Sequence, residues 1–441
     1  MKQPILLFGA GKSAGVLIDY LLTHAPEDGR PLWIADARTQ HLSQRLNNHP
    51  FGKAFELDIH DTASRSQLIA ESALVISMMP PALHVLIAID CLHHGKSLLT
   101  ASYLDDTIKG MHSEVEKKGL LFLCEMGLDP GIDHMSALQL IDSIKAKGGQ
   151  IQSFKSHCGG LVSPESDNNP WHYKISWNPR NVVLAGKAGA LYRLNNQNVE
   201  IGYQALFANP EQVTVPIQDQ LTHFSYYPNR NSLPYIDLYE LPEASTFVRT
   251  TLRHPDFMHG WNHLIQLGFT SESPLSDFSG ETYADFFRYM EQKNGLSMLS
   301  IDHSPVWHQQ LACLGYENET AVLREPYTST ADILQQLLES SLYLSPTDND
   351  MIVMLHELEY ILDNKRYGVT SSLVVKGLSQ SHTAMAETVG MPLGIAARLI
   401  LNGTIRQKGV CIPTSPSLYE PVMADLENAG IRFTETTRLL D

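Results

Sequence analysis

The sequence predicts an α/β protein, on three observations. The chain opens as strand, glycine turn and helix. Apolar strand runs then alternate with helical stretches as far as residue 124. Near the end, two long β-rich runs flank Asp363-Asn364 and read as an antiparallel hairpin.

The opening strand is Pro4-Ile-Leu-Leu-Phe8, the turn is Gly9-Ala-Gly-Lys-Ser-Ala14, and the amphipathic helix starts at Gly15. Gly9 permits the tight turn, and Gly11 removes a side chain where backbone must approach a pyrophosphate. Ala14 stands at the third glycine position, where helix and strand pack closely. The helix start then points its N–H groups at the phosphates. Gly9, Gly11, Lys12, Ser13 and Ala14 are therefore the candidate phosphate-binding set of a Rossmann-type domain.

The next apolar run, Leu32-Trp-Ile-Ala35, ends in Asp36, where such a domain places a carboxylate for the ribose hydroxyls. A carboxylate there repels a 2′-phosphate, so NAD is the favoured cofactor. Arg38, two residues on, can pair with that phosphate, so NADP is allowed. Ala54-Phe-Glu-Leu-Asp58 is a third strand, with Asp58 toward the adenine or in a plain turn. Ala73-Leu-Val-Ile-Ser77 is a fourth, followed by Met78-Met79-Pro80-Pro81 and a helix from Ala82 to His93. Ser97–Thr100 and Leu121–Cys124 complete the set. Ligands sit at the carboxyl ends of parallel strands, which selects the loops 77–81, 100–103 and 125–133, with Ser77 and Met78 on the cofactor side.

Composition narrows the classes. The 441 residues are 43% hydrophobic and 18% charged, ordinary values for packed globular domains, and about three domains fit the length. A net charge of −16 argues against nucleic acid and anionic membranes as partners. No apolar run suggests a spanning helix. Cys91, Cys124, Cys158, Cys313 and Cys411 are widely spaced, which points to a reducing, cytoplasmic setting without disulfides or zinc knuckles.

Past residue 128 the pattern changes. Asp129-Pro130 reads as an N-cap and first helical residue ahead of a helix at 135–145, although a capping carboxylate at a strand end still faces the cleft. Ile151–His157 alternates as a strand and ends in Cys158-Gly-Gly160. A long loop follows over 163–181, and residues 240–345 are mainly helical. A small-residue helix over 383–401 is expected to break near Gly390-Met-Pro392. His259 and His263 have i,i+4 spacing, but no H-E-x-x-H pattern accompanies them, so no metal is expected.

Longer motifs carry a resemblance. Thr100-Ala-Ser-Tyr103, Gly127-Leu-Asp-Pro-Gly-Ile-Asp-His134, Cys158-Gly-Gly-Leu161, Tyr173-Lys-Ile-Ser-Trp177, Tyr227-Pro-Asn-Arg230, Arg249–Arg253 and Ala384–Gly390 together resemble the L-glutamate-forming saccharopine dehydrogenases. The resemblance implies a Rossmann-type domain over 1–128 completed by about 391–441. It implies a mixed α/β substrate and dimerisation domain over 129–240 and 348–390, and a helical insertion over 241–347. It also implies a homodimer, and NAD(P)-dependent oxidative cleavage of saccharopine to L-glutamate and 2-aminoadipate 6-semialdehyde, or the reverse, in lysine metabolism.

By carry-over, Tyr103, Asp129 and Cys158 are the polar catalytic positions, and Ser102 and Thr388 contact substrate. Three substrate carboxylates call for cations. Arg230 is the first choice, with Lys174 and Arg249 next. Two departures stand out: His157 before Cys-Gly-Gly and His382 before Thr-Ala-Met-Ala, where the family has Tyr. They leave a related substrate open, and two other readings are weighed against this one. One is a reductive-amination enzyme joining a diamine to an aldehyde. The other is a non-catalytic nucleotide-binding regulator.

Overall fold

Short, largely apolar strands need cover on both faces, and the first third of the chain provides it. The computed structural model describes residues 2–40, 42–217, 220–275, 278–324 and 326–440. β1 (Ile5–Phe8), β2 (Leu32–Asp36), β3 (Gly52–Glu56), β4 (Leu74–Ser77), β5 (Ser97–Thr100) and β6 (Leu121–Leu123) lie in one parallel sheet. Its order is β16-β6-β5-β4-β1-β2-β3, where β16 is Gly409–Cys411. The order turns back between β1 and β4, and that crevice is where a parallel sheet takes its ligand. Helix Gly15–Asp28 follows the glycine turn and closes on Gly29 in the left-handed conformation.

The second sheet carries ten strands. They are β7 (Gln150–Val162), β8 (Ala190–Leu194), β9 (Gln197–Ile201), β10 (Glu211–Ile217), β11 (Gln220–Pro228), β12 (Arg230–Asn231), β13 (Thr246–Arg253), β14 (Asp350–Leu362), β15 (Lys365–Lys376) and β17 (Thr434–Leu439). β14 and β15 pair from Met351–Lys376 to Leu362–Lys365. Asp363 and Asn364 take φ of 52° and 60°, the left-handed pair that a two-residue hairpin requires.

Contacts divide the chain into a first unit, 1–150 with 381–434, and a second, 151–380 with 435–441. The expected division after 128 differs, because helix Ile132–Ala146 packs with Pro416–Asn428 of the first unit. The tail also differs: β16 joins the first sheet, whereas β17 joins the second. The segment expected to be helical from 241 begins with β13. Helices Pro255–Gln266, Tyr283–Asn294, Pro305–Cys313 and Thr330–Ser341 follow it. They enclose an aromatic core that includes Trp171, Tyr173, Trp261 and Trp307. Trp171 is fixed there by its indole N–H, which donates to the Gln310 carbonyl at 3.1 Å.

Ala384–Leu401 is one continuous helix, not the broken one expected. Pro392 sits inside it, while Gly390 and Gly394 let helix Gly15–Asp28 come close. A Cβ on Gly390 would stand 2.9 Å from the Leu17 amide nitrogen. Continuity makes this helix 18 residues long and apolar enough to cross a membrane by composition, contrary to expectation. Its most apolar window is 72% buried inside the protein, as a core helix is.

Candidate active site

The glycine turn behaves as its spacing demands. Gly9 has φ of 89°, and a Cβ there would lie 3.0 Å from the Met78 carbonyl, so β1 and β4 approach through it. A Cβ on Gly11 would meet nothing within 4 Å, which leaves the cradle a pyrophosphate needs. No side chain caps the short helical turn Lys12–Ala14 or the helix behind it. Lys12 is exposed and Ser13 half-buried at this mouth, with Ala14 packed beneath. These residues fit a dinucleotide pyrophosphate.

Asp36 ends β2 as expected, with a further role. Its Oδ2 accepts from the Ala10 amide at 2.7 Å and its Oδ1 from the Arg38 amide at 2.9 Å. The carboxylate thus braces the glycine turn from the strand end where the ribose carboxylate was expected. The Arg38 side chain is exposed beside it. Asp58 lies beyond the end of β3, exposed, and its Oδ1 accepts from the His60 amide at 2.9 Å, as a turn residue does.

The carboxyl ends of β4, β5 and β6 hold the polar groups of the first unit. Ser77 Oγ lies 2.8 Å from His84 Nδ1, and His84 Nε2 lies 2.8 Å from Ser102 Oγ. Ser77 is fully buried and His84 nearly so. Burial pushes the His84 imidazole down to about 4, so at neutral pH it donates through one nitrogen and accepts through the other. Met78 follows at the cleft edge, half-buried.

The Tyr103 hydroxyl donates to Asp129 Oδ1 at 3.3 Å. Asp129 is no N-cap: Gly131 precedes the helix, and the Gly131 amide donates to Asp133 Oδ1 at 2.6 Å. The 127–131 segment closes on itself, the Gly127 amide donating to the Pro130 carbonyl at 3.0 Å. Its φ of 148° and the Gly127 oxygen, 2.1 Å from where a Cβ would stand, admit only glycine at 131. Asp129 is the half-buried member of an otherwise buried run.

Glu125 holds these loops together. Its Oε1 accepts from the Leu104 amide at 3.0 Å, and its Oε2 lies 2.8 Å from His134 Nε2. Its own amide donates to the Ser102 carbonyl at 3.0 Å. His84 and Glu125 were not among the expected site residues. Their signal was position: each lies within or just after a loop at the carboxyl end of a strand.

Thr388 is fully buried, and its hydroxyl donates to the Ala384 carbonyl at 2.8 Å. That commits its proton within the helix and leaves only its oxygen lone pairs for the substrate contact expected there. His382, the second departure, is half-exposed with Nε2 3.6 Å from Glu387 Oε2.

In the second unit Cys158 is buried on β7, opposite Thr251 of β13. His157 does not join it: an uninterrupted parallel register with β13 puts the two side chains on opposite faces. His157 is fully buried between Thr250 Oγ1 at 2.7 Å and Glu357 Oε2 at 3.0 Å. The His157 hydrogen bond holds the Glu357 carboxyl below the usual range.

Lys174 is committed to Asp348 at 2.6 Å in a buried pair, which removes it from the expected substrate cations. Burial pushes the Asp348 carboxyl up, and hydrogen bonds from Lys174 and Ser345 outweigh that and hold it low. Arg230 is exposed on β12 with φ of 54°, whereas Arg249 is buried with its guanidinium 4.5 Å from the Tyr235 ring centre. A cavity of about 360 Å³ lined by Lys155, Tyr192, Glu200 and Tyr226 contains none of the expected residues.

A doubly wound sheet with a phosphate cradle and titratable side chains grouped at its carboxyl edge is the architecture of a pyridine-nucleotide-dependent oxidoreductase. Residues 5–123 match the saccharopine dehydrogenase NADP binding domain, and residues 127–431 the saccharopine dehydrogenase C-terminal domain. The chain belongs to the saccharopine dehydrogenase family. It is 31% identical to saccharopine dehydrogenase [NADP(+), L-glutamate-forming] of Saccharomyces cerevisiae, over 99% of this chain and 100% of that protein. It is 31% identical to the mitochondrial alpha-aminoadipic semialdehyde synthase of Bos taurus, over 98% of this chain and 48% of that one. The apo structure of the Saccharomyces cerevisiae enzyme superposes with a TM-score of 0.88 at 29% identity, covering 99% of this chain and 100% of that chain. The homospermidine synthase of Legionella pneumophila, with NAD, shares the fold at a TM-score of 0.56 and 9% identity, over 99% of this chain and 92% of that one.

Proposed function

We propose that this chain catalyses the oxidative cleavage of saccharopine by NADP⁺ and water, giving L-glutamate, 2-aminoadipate 6-semialdehyde, NADPH and a proton, or the reverse, in lysine metabolism. The observation that carries the reading is the Tyr103–Asp129 pair at the carboxyl edge of the nucleotide-binding sheet, in a chain of this family.

When bound, the nicotinamide supplies the hydride acceptor. The substrate carbon beside the secondary amine loses a hydride and becomes an imine. Water adds, and the resulting carbinolamine collapses to aldehyde and amine. Asp129 accepts a hydrogen bond from the reacting amine and stabilises its positive charge, while Tyr103 orients that carboxylate and the attacking water. Ser102, held by His84, positions the substrate.

NADP is the cofactor of this reading, the one allowed second by the sequence. It is supported by the matched domain and by Arg38, exposed next to an Asp36 whose two oxygens already accept backbone amides. A cytoplasmic homodimer completes the reading. The free thiols of all five cysteines are consistent with a reducing compartment. Purified protein with saccharopine and NADP⁺ is expected to release glutamate one-for-one with reduced nicotinamide. Nucleotide binding without glutamate release would reject the reading.

A further inference from the structure

We propose that His259, His263 and Asp302 form a binding site for a divalent cation of the zinc class, separate from the catalytic groups. Sequence spacing placed the two histidines on one helix face but offered no third ligand. The fold supplies it from the loop ahead of helix Pro305–Cys313. His259 and His263, one turn apart on helix Pro255–Gln266, both direct Nε2 at Asp302 Oδ2. His259 is in direct hydrogen-bond contact with that oxygen, and His263 Nε2 lies 3.4 Å from it. The three donor atoms all fall within 4.8 Å of one another. Donors at about 2.1 Å from a tetrahedral ion stand about 3.4 Å apart, so small side-chain shifts bring all three into the coordination sphere.

The surroundings hold the ligands as a metal site needs. Asp302 Oδ1 accepts from the Ser304 amide at 2.7 Å, and Oδ2 from the Ser304 hydroxyl at 3.0 Å. His263 packs beside Trp307 with ring centres 4.9 Å apart, and the Trp307 indole N–H donates to the Met298 carbonyl at 2.9 Å. The His259 side chain is 47% exposed, which gives the ion an entry path and leaves a position for water. Two imidazoles and one carboxylate suit Zn²⁺, Co²⁺ or Ni²⁺ rather than Mg²⁺ or Ca²⁺. The ion would tie helix Pro255–Gln266 to the start of helix Pro305–Cys313.

A second cluster, His172, His254 and Asp256, is less suited. Its imidazoles are stacked at 3.8 Å, and His254 Nδ1 already accepts from the Asp256 amide at 3.2 Å. It serves as the internal control.

The test is calorimetric titration of the chelator-treated full chain with ZnCl₂, alongside Co²⁺ followed by its visible absorption. Expected are one tight equivalent per chain, intense low-coordinate Co²⁺ bands, and a rise in melting temperature with Zn²⁺. His259→Gln, on the exposed side, and Asp302→Asn should each weaken Zn²⁺ by more than about 10-fold, while Ser304→Ala weakens it by about 10-fold. His172→Gln should leave the titration unchanged. Absence of a tight equivalent, or Zn²⁺ binding insensitive to His259→Gln and Asp302→Asn, overturns the proposal. So does binding lost in His172→Gln. Glutamate release from saccharopine, measured separately, is not the readout, so failure of this site and failure of the catalytic reading are distinguishable.

Discussion

The Tyr103 hydroxyl donates to Asp129 Oδ1 at 3.3 Å, joining the loop after β5 to the loop after β6. If the pair manages charge at the reacting amine, Asp129→Asn should lower kcat/KM for saccharopine by about 100-fold or more. Nucleotide affinity should stay within about twofold, because the glycine turn is untouched. Tyr103→Phe should cost less, and the double variant less than the product of the single losses, as coupled groups do. Steady-state kinetics with parallel nucleotide titrations decides this; full activity in Asp129→Asn would remove the pair from the chemistry.

His84 bridges Ser77 and Ser102 as a buried neutral imidazole. Its folded value, about 4, lies below the ordinary 6.5. The unfolded chain therefore binds the extra proton first as pH falls. Stability is complete above about pH 6.5 and is lost progressively down to about pH 4, by roughly 3 kcal/mol in total. Denaturant midpoints across this window should show the loss in the wild type and a shallower one in His84→Gln. If Ser102 touches substrate, the same variant should raise KM for saccharopine more than it changes nucleotide affinity. Parallel pH profiles for the two proteins would deny His84 this role.

Arg38 stands exposed two residues after Asp36, which is held by two backbone amides. Arg38→Ala should lower kcat/KM for NADP⁺ by about 10-fold while changing NAD⁺ little, the loss of one charge-assisted phosphate contact. Asp36→Ala should weaken both cofactors, since it also loosens the turn at Ala10. Equal effects of Arg38→Ala on both cofactors would mean that the 2′-phosphate is read elsewhere.

Lys174 and Asp348 form a buried pair with side chains 8% and 9% exposed. Removing one partner strands the other charge, so Lys174→Met should destabilise the protein by about 3–5 kcal/mol, and the double variant with Asp348→Leu should recover much of it. Chemical denaturation measures both. A mild effect of Lys174→Met, with weakened saccharopine binding instead, would return this lysine to the substrate site.

Most of the parallel sheet was legible because β1, β2, β4, β5 and β6 are short, largely apolar runs set between turn and helix signals; β3 begins two residues before the expected run, and β16 joins from the far end of the chain. The hairpin at Asp363-Asn364 was legible from turn chemistry. What escaped were features decided by distant partners. Pro392 reads as a break, yet the helix continues through it with its neighbours packed on helix Gly15–Asp28. Asp129-Pro130 reads as a cap, but Gly131 and Asp133 take over the helix start. Lys174 reads as a free cation until Asp348 meets it from far along the chain. His157 sits next to Cys158 in sequence, but its ring is taken up by Thr250 and Glu357 from distant strands.

The most direct measurement is absorbance at the reduced-nicotinamide band on mixing the protein with saccharopine and NADP⁺ or NAD⁺, with glutamate assayed in the same samples. Faster reduction with NADP⁺, and glutamate released in equal amount, is the expected result. A folded, nucleotide-binding protein that reduces neither cofactor with saccharopine, and releases no glutamate, would contradict the assigned reaction.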